Sequence, residues 1–346
     1  MAEGGGRVRR KRSARIAVTG AGQPLGAALV ARLAEHASHP SVVEIEGVSA
    51  KLADELAEAD VVVHLAVDRT VEAPPDQRRT TNIAGTTALL DAVAAAGVRR
   101  VVLLTSAMVY GTGVDNAVPL DEDAPLAATP TDGLVGDWLA MERLAAARQT
   151  TSDGALEVVA VRPASLVGTV CDPLLPGLFE SVRLLSVREG RCLWQFCHED
   201  DLLDALVAAA TGAVSGAVTV GSDGWLEREQ VERISGMRSV VLPAAVAFAT
   251  AERLHRVGAL SSPATDLHYL QHPWVVGSQR LRATGWSPRW TNEAALEEHL
   301  RRLGDRVGRS FVVVDRKSAT RAAAGAGATL AVIGSLALAR SRIRRR

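Results

Sequence analysis

Apolar residues along this chain gather in short, nearly unbroken runs. Ile16 to Thr19, Val61 to Ala66, Val101 to Leu104, Glu157 to Val161 and Ala217 to Val220 each read as a strand, and Val42 to Glu46 as another. Runs apolar at successive positions suit strands covered on both faces, as in a parallel sheet. Helical spacing separates them. A first helix runs to Leu33, a short one fits Ala50 to Glu58, and Leu89, Leu90 and Val93 form one stripe of a helix over Asn82 to Ala95. Gly97 closes that helix. Leu134 to Arg148 reads as helical, whereas residues 115–132, with Pro119, Pro125 and Pro130, read as a long loop. Beyond about residue 170 the pattern turns irregular, with helices expected over 201–210, 227–234, 243–257 and 292–303. No internal repeat is present. Alternating strand and helix predicts an α/β fold with a doubly wound parallel sheet over residues 15–169, and a smaller C-terminal subdomain over 170–310.

The first strand runs into Gly20-Ala-Gly22-Gln23-Pro24-Leu25-Gly26. Pro24 suits the first turn of a helix, where an amide would be unpaired anyway. A strand, a glycine turn and a helix N-terminus present backbone donors to a pyrophosphate. A tight turn with no ligand has the same residues, so the turn alone does not decide. Glu46, at the end of the second strand, is where such a fold holds ribose hydroxyls; Glu44 serves if the register slips, and a plain surface carboxylate is the other reading.

Composition adds three constraints. The 346 residues suffice for one large or two ordinary domains. The three cysteines, Cys171, Cys192 and Cys197, are odd in number and lack paired metal spacing, which fits reduced thiols in a cytoplasmic setting; no metal site is expected. Lysine and tyrosine are scarce, at three and two. The net charge of zero conceals basic tails on an acidic body: residues 16–315 carry 25 basic and 38 acidic side chains. That body is a poor partner for nucleic acid. Residues 1–14 read as a basic, disordered tail. No secretory signal is seen. Ala322 to Ala339 is 18 residues without a charge, flanked by arginines. A helix of that length reaches about 27 Å, just short of a hydrocarbon core. The segment 316–346 is therefore open to three readings: a membrane anchor, an interfacial helix, or a helix packed on a protein partner.

Ordered blocks then resemble the extended short-chain dehydrogenase/reductase family, the NAD-dependent epimerase/dehydratase and 3β-hydroxysteroid dehydrogenase-like group, over roughly residues 15–300. They are Thr19-Gly20-Ala21 through Gly26, Asp60 through His64-Leu65-Ala66, Asn82 through Thr86, Thr105-Ser106-Ala107 through Tyr110-Gly111, Val161-Arg162-Pro163, Phe196 through Asp201, and Leu281 through Pro288. The resemblance implies a Rossmann-like sheet with NAD or NADP across its carboxyl edge. It places Gly20, Gly22, Gln23, Leu25, Gly26, Glu46, Leu65, Ala66, Thr105 and Pro163 beside the dinucleotide, and Ser106 at the catalytic serine. The lack of an arginine after Glu46 leans toward NAD. A homodimer is one open reading of the assembly.

The same resemblance exposes departures. The family pairs its serine with Tyr-x-x-x-Lys, in which a lysine lowers the pKa of the acid/base phenol. Here Leu134 and Trp138 stand at those two positions, and no Tyr-x-x-x-Lys occurs anywhere. Gln23 stands at the middle glycine of the turn. Only 13 residues separate Glu46 from Asp60, too few for the family's next strand and its adenine contact. His64, His198, Asp200 and Asp201 match family positions and read as structural. The expectation is a catalytically impaired dinucleotide-fold protein acting as a scaffold or sensor. The alternative is an active oxidoreductase or epimerase, on a sugar nucleotide or steroid-like alcohol, with another acid. Asp137 is the nearest substitute for that acid, although an exposed helix charge is the plainer reading of it.

Overall fold

The computed structural model describes residues 13–70, 73–172, 175–181, 183–257, 260 and 262–309. The tail expectation on residues 316–346 lies outside these residues, and so does that on residues 1–14 except for Ser13 and Ala14; the Ala14 carbonyl accepts from the Ser41 amide at 3.0 Å. The first half alternates β1 (Arg15–Thr19), α1 (Pro24–Ala34), β2 (Ser41–Ile45), α2 (Leu52–Glu55), β3 (Val61–His64), α3 (Pro75–Arg79), α4 (Gly85–Ala96), β4 (Arg100–Leu104), α5 (Leu134–Thr151) and β5 (Glu157–Pro163). The second half adds β6 (Ser165–Val167), α6 (Leu175–Phe179), β7 (Leu184–Val187), β8 (Phe196–His198), α7 (Glu199–Thr211), β9 (Ala217–Val220) and α8 (Arg228–Ser235). It ends with β10 (Ser239–Leu242), α9 (Ala244–Arg256), α10 (Gln279–Arg282) and α11 (Asn292–Arg309).

The main sheet has six strands in the order β2-β1-β3-β4-β5-β9, all parallel. Ile16, Val18, Val63, Val102, Val161 and Val218 point into one core with Leu29, Trp138 and Leu206. Ala17, Val62 and Val101 point the other way, onto Leu52, Leu89 and Val93. Burial on both faces is why these strands read as continuous apolar runs. Order reverses between β1 and β3, and such a switch opens a crevice at the carboxyl ends of the strands. β9 joins the sheet from beyond residue 200, so the later chain completes the sheet as well as covering it.

Three expectations need correction. The helix expected from Asn82 begins earlier: α3, a π-turn over Thr80–Ala84 and α4 form one helical stretch from Pro75. The π-turn seats Asn82, whose side chain accepts from the Asp68 amide (2.8 Å) and donates to the Asp68 carbonyl (2.9 Å). The irregular region holds two small parallel sheets, β10-β7 and β6-β8, built from strands too short to show a period. Finally, Asp137 is fully buried, not an exposed helix charge. Among the described residues no helix is long and apolar enough to cross a membrane.

Candidate functional site

The carboxyl ends of β1 to β5 bring together residues far apart in sequence. At β1, Gly20 has φ +73°, and a Cβ there would sit 2.8 Å from the Ala66 amide nitrogen. A Cβ on Gly26 would run into the Gly20 carbonyl oxygen, so α1 packs directly on the turn. Gln23 is the extended residue before α1, and its amide donates to Gly20 O at 3.0 Å. Pro24 has no amide, and Ala27 N bonds back to Gln23 O, which leaves Leu25 and Gly26 as the amides at the mouth of the helix. Gly22, Gln23 and Pro24 are exposed.

Glu46 follows β2 directly, and its carboxylate lies over Gly22, where a Cβ would meet it. It is Glu46, and not Glu44, whose carboxylate lies at the turn. The geometry fits a dinucleotide: open amides at a helix N-terminus, and a carboxylate at the turn to receive ribose hydroxyls. Gln23, at the middle glycine of the family pattern, keeps ordinary extended backbone, so its side chain is accommodated. Beyond β3, Leu65 is buried and Ala66 is half-buried, with Leu65 N donating to Thr19 O at 3.1 Å. His64 shares a 2.8 Å hydrogen bond with Thr19 Oγ1, and burial pushes its pKa down to about 4. It is a neutral strand residue.

The ends of β4 and β5 are tied by one buried network. Arg162 grips Glu142 through Nε (3.1 Å to each carboxylate oxygen) and Nη2 (2.5 Å). Thr105 Oγ1 donates to the same carboxylate at 2.6 Å. Arg162 also donates to the Tyr110 hydroxyl (2.7 Å) and stacks on its ring. Burial pushes the Tyr110 pKa up to about 12, so this phenol is a hydrogen-bonding strut and no acid at neutral pH. Pro163 is buried at the end of β5. Ser106 is buried too, and its Oγ accepts from the Met108 amide at 3.2 Å, capping a short 3-10 turn.

Leu134 and Trp138 are both buried in the main core. The Arg69 guanidinium lies 5.0 Å from the centre of the Trp138 ring and donates to the Thr105 carbonyl at 3.4 Å. The position that the resemblance assigns to a catalytic lysine thus holds an indole with an arginine over it. Asp137 offers no substitute acid. It accepts from Arg78 Nε (2.8 Å), Arg79 Nη1 (3.2 Å) and Asn82 Nδ2 (3.2 Å), and so is locked in an ion-pair cluster.

Sequence reasoning missed Arg69, which carries no motif and lies 69 residues from Trp138. It also missed Asp172 and Asp266, which line one cavity together with Ser165, Tyr269 and Met108. Burial, with Asp172 as a like-charged neighbour, pushes Asp266 up to about 7. His198 caps α7, accepting from the Asp200 amide at 3.1 Å, and stacks on Trp290 at 3.7 Å. Asp201 accepts from the Arg289 amide (2.8 Å) and the Trp290 amide (3.3 Å). These residues hold the C-terminal segment against α7, and among the described residues no metal-binding cluster forms.

The sequence profile of the NAD dependent epimerase/dehydratase family matches residues 16–221. The chain belongs to that family. An uncharacterized protein of Mycobacterium tuberculosis is 29% identical over 225 residues, covering 61% of this chain and 56% of that protein. A 4-hydroxy-2-methyl-3-oxo-4-farnesyl-3,4-dihydroquinoline-1-oxide ketoreductase of Stigmatella aurantiaca is 28% identical over 176 residues, covering 50% of this chain and 52% of that protein. The chain thus spans little more than half the length of these curated relatives. In three dimensions the fold is similar to MoeE5 in complex with UDP-glucuronic acid and NAD, with a TM-score of 0.61, 22% identity, and coverage of 86% of this chain and 100% of that one. It is similar also to a UDP-glucuronic acid 4-epimerase of Bacillus cereus, with a TM-score of 0.61, 18% identity, and coverage of 84% and 99%. The chain contains no Tyr-x-x-x-Lys sequence.

Proposed function

We propose that this chain binds NAD across the crevice between β1 and β3 and acts as a dinucleotide-responsive scaffold or sensor, without the family's Tyr–Lys chemistry. In that reading the pyrophosphate meets the Leu25 and Gly26 amides and Glu46 receives the adenosine ribose. Leu65, Ala66, Thr105 and Pro163 flank the rest of the cofactor. NAD is favoured over NADP because a 2′-phosphate would face the Glu46 carboxylate, and like charges repel. Similar folds are recorded with NAD, which supports the choice.

Bound NAD would supply a hydride acceptor. The chain must supply the proton transfer, and the observation that carries this reading lies there: Trp138 is buried under Arg69 where the lysine would stand. Leu134 has no proton to give. Ser106 Oγ already accepts a backbone hydrogen bond, which makes it a turn cap.

The test is calorimetry of the full chain with NAD and NADP, followed by chromatographic separation of products from UDP-glucose and UDP-glucuronic acid incubated with the chain and NAD, with absorbance at 340 nm read alongside for net oxidation. Micromolar NAD binding, weaker NADP binding and no turnover are expected. Absence of binding at millimolar NAD would remove the dinucleotide half of the proposal. Turnover that Ser106→Ala abolishes would remove the other half.

A further inference from the structure

Away from the dinucleotide crevice, β7 and β10 form a two-stranded parallel sheet, and α9 packs on it. Leu185, Val187, Leu242 and Ala247 make the core of this small unit. The outer face of α9 is uncovered among the described residues. Val246, Arg253 and Val257 are spaced seven and four residues apart, which puts them on one side of the helix and its end. Val246 is 42% exposed and Val257 69%, and Val241 on β10 is exposed beside them in sequence. The other exposed large apolar side chains among the described residues, Val114 and Val118, lie in the stretch before α5, so this exposure is concentrated on one unit.

Charge sets the same unit apart. Residues 16–315 carry 25 basic and 38 acidic side chains, yet residues 183–191 and 238–257 together carry six arginines against two glutamates. Both glutamates are engaged: Glu189 accepts from the Ala244 amide at 2.7 Å, and Glu252 pairs with Arg256 at 3.2 Å. Even surface arginines elsewhere find a carboxylate, as Arg99 and Arg289 do. Arg183, Arg188, Arg238 and Arg253 are exposed and make no ion pair among the described residues. Backbone bonds hold three of them to the sheet. The Leu184 amide donates to the Arg238 carbonyl at 3.3 Å, which places Arg183 and Arg238 at one end of the two strands. The Arg188 amide donates to the Leu242 carbonyl at 2.9 Å, at the other end, where α9 begins.

The described chain ends close by. Leu303 of α11 shares a cluster with Met237, the residue before Arg238. Residues 316–346 then carry eight basic side chains, no acid, and the uncharged run Ala322 to Ala339. Guanidinium groups with small apolar side chains between them, on a convex helix face, complement a fluid anionic surface. Headgroups meet the cations one by one, and the valines need reach only the boundary of the acyl chains. One weak contact of this kind is marginal, whereas two together hold.

We propose that the outer face of α9, with the arginines of β7 and β10, docks the protein peripherally on anionic lipid, and that the basic tail acts beside it. None of these residues belongs to the dinucleotide crevice, so this docking stands apart from the binding of NAD.

The test is co-sedimentation of the full chain with vesicles of phosphatidylcholine alone and of phosphatidylcholine with about one phosphatidylserine in three lipids. Binding to the mixed vesicles is expected to be at least tenfold tighter and to weaken with salt. A basic side chain near such a surface contributes about 1 kcal/mol, roughly fivefold, so Arg188→Ser, Arg238→Ser and Arg253→Ser combined are expected to weaken binding at least thirtyfold. Val246→Ser with Val257→Ser is expected to weaken it at least threefold. Arg143→Ser, an exposed arginine on α5, is expected to bind as the parent does. All these positions are exposed, and unchanged melting curves are expected for each variant. No binding, or equal binding to both vesicles, would overturn the proposal. Parent-like binding by the triple arginine variant would assign attachment to the tail alone and overturn the face. An equal loss in Arg143→Ser would overturn its location. Displacement of the protein from the vesicles by polyglutamate at the same charge concentration would overturn lipid as the partner in favour of an acidic protein.

Discussion

Replacing Asp137 by leucine separates a structural role for this carboxylate from a chemical one. Its side chain is 0% exposed and that of its partner Arg78 2% exposed. Leucine would strip the cluster of three donors' acceptor at once: Arg78 Nε, Arg79 Nη1 and Asn82 Nδ2. Arg78 would remain buried beside the Asp132 carbonyl, with its ion-pair partner removed. Breaking one side of a buried pair costs about 3–5 kcal/mol, mostly as the penalty on the charge left behind. For a chain of this size about 1 kcal/mol moves the melting temperature by roughly 2 °C, so a fall of about 6–10 °C is expected. The double variant Arg78→Met, Asp137→Leu removes both charges and is expected to recover at least half of that fall. Differential scanning calorimetry of the full chain reads both. A single variant that melts within 2 °C of the parent would refute the reasoning, and so would a double variant that melts lower than the single one.

Other expected outcomes follow from the same geometry. Trp138→Lys should lower the melting temperature by at least 6 °C and give no turnover at 340 nm, because it removes a buried indole, worth about 3–5 kcal/mol, and sets an ammonium against Arg69. Gly22→Ala should fold normally, since the atom its Cβ meets is the free end of the Glu46 side chain, yet bind NAD about tenfold more weakly in calorimetry as that carboxylate is displaced. Asp266 has a folded pKa of about 7, above the ordinary 3.8, so its contribution to stability is complete below about pH 4 and is lost as pH rises to 7 and beyond. Asp266→Asn should therefore gain relative stability at pH 8 over pH 5, by about 1–2 kcal/mol after solvent screening, in urea titrations at the two pH values.

The central sheet was legible because its strands are covered on both faces. Val61 to Val63 and Val101 to Leu104 have no solvent side, and their continuous apolar runs say so directly. β6, β7, β8 and β10 span only three or four residues each, too short for any period to emerge. At the site, it was the family resemblance that assigned Leu134 and Trp138, four residues apart on one helix, to the tyrosine and lysine positions. Arg69 and Trp138 meet only through the tertiary fold, as do Asp172 and Asp266. Asp137 misled for a related reason. A charge in the first turn of a helix is ordinarily solvated, but Arg78 and Asn82, from the stretch between β3 and β4, close over it.

Among the described residues, the short passage between Glu46 and Asp60 leaves β2 as the last strand of the sheet, paired with β1 on one side only. A strand in that position shows a row of unpaired amides and carbonyls to any extended chain that drifts past. Val42, Val43 and Ile45 would make an inviting template. Glu44, exposed in the middle of that run, puts a charge on this edge, a device that discourages such pairing. A glutamate with no part in ligand binding would then be what keeps concentrated protein from joining edge to edge, and Glu44→Val would turn a dispersed protein into one that self-associates.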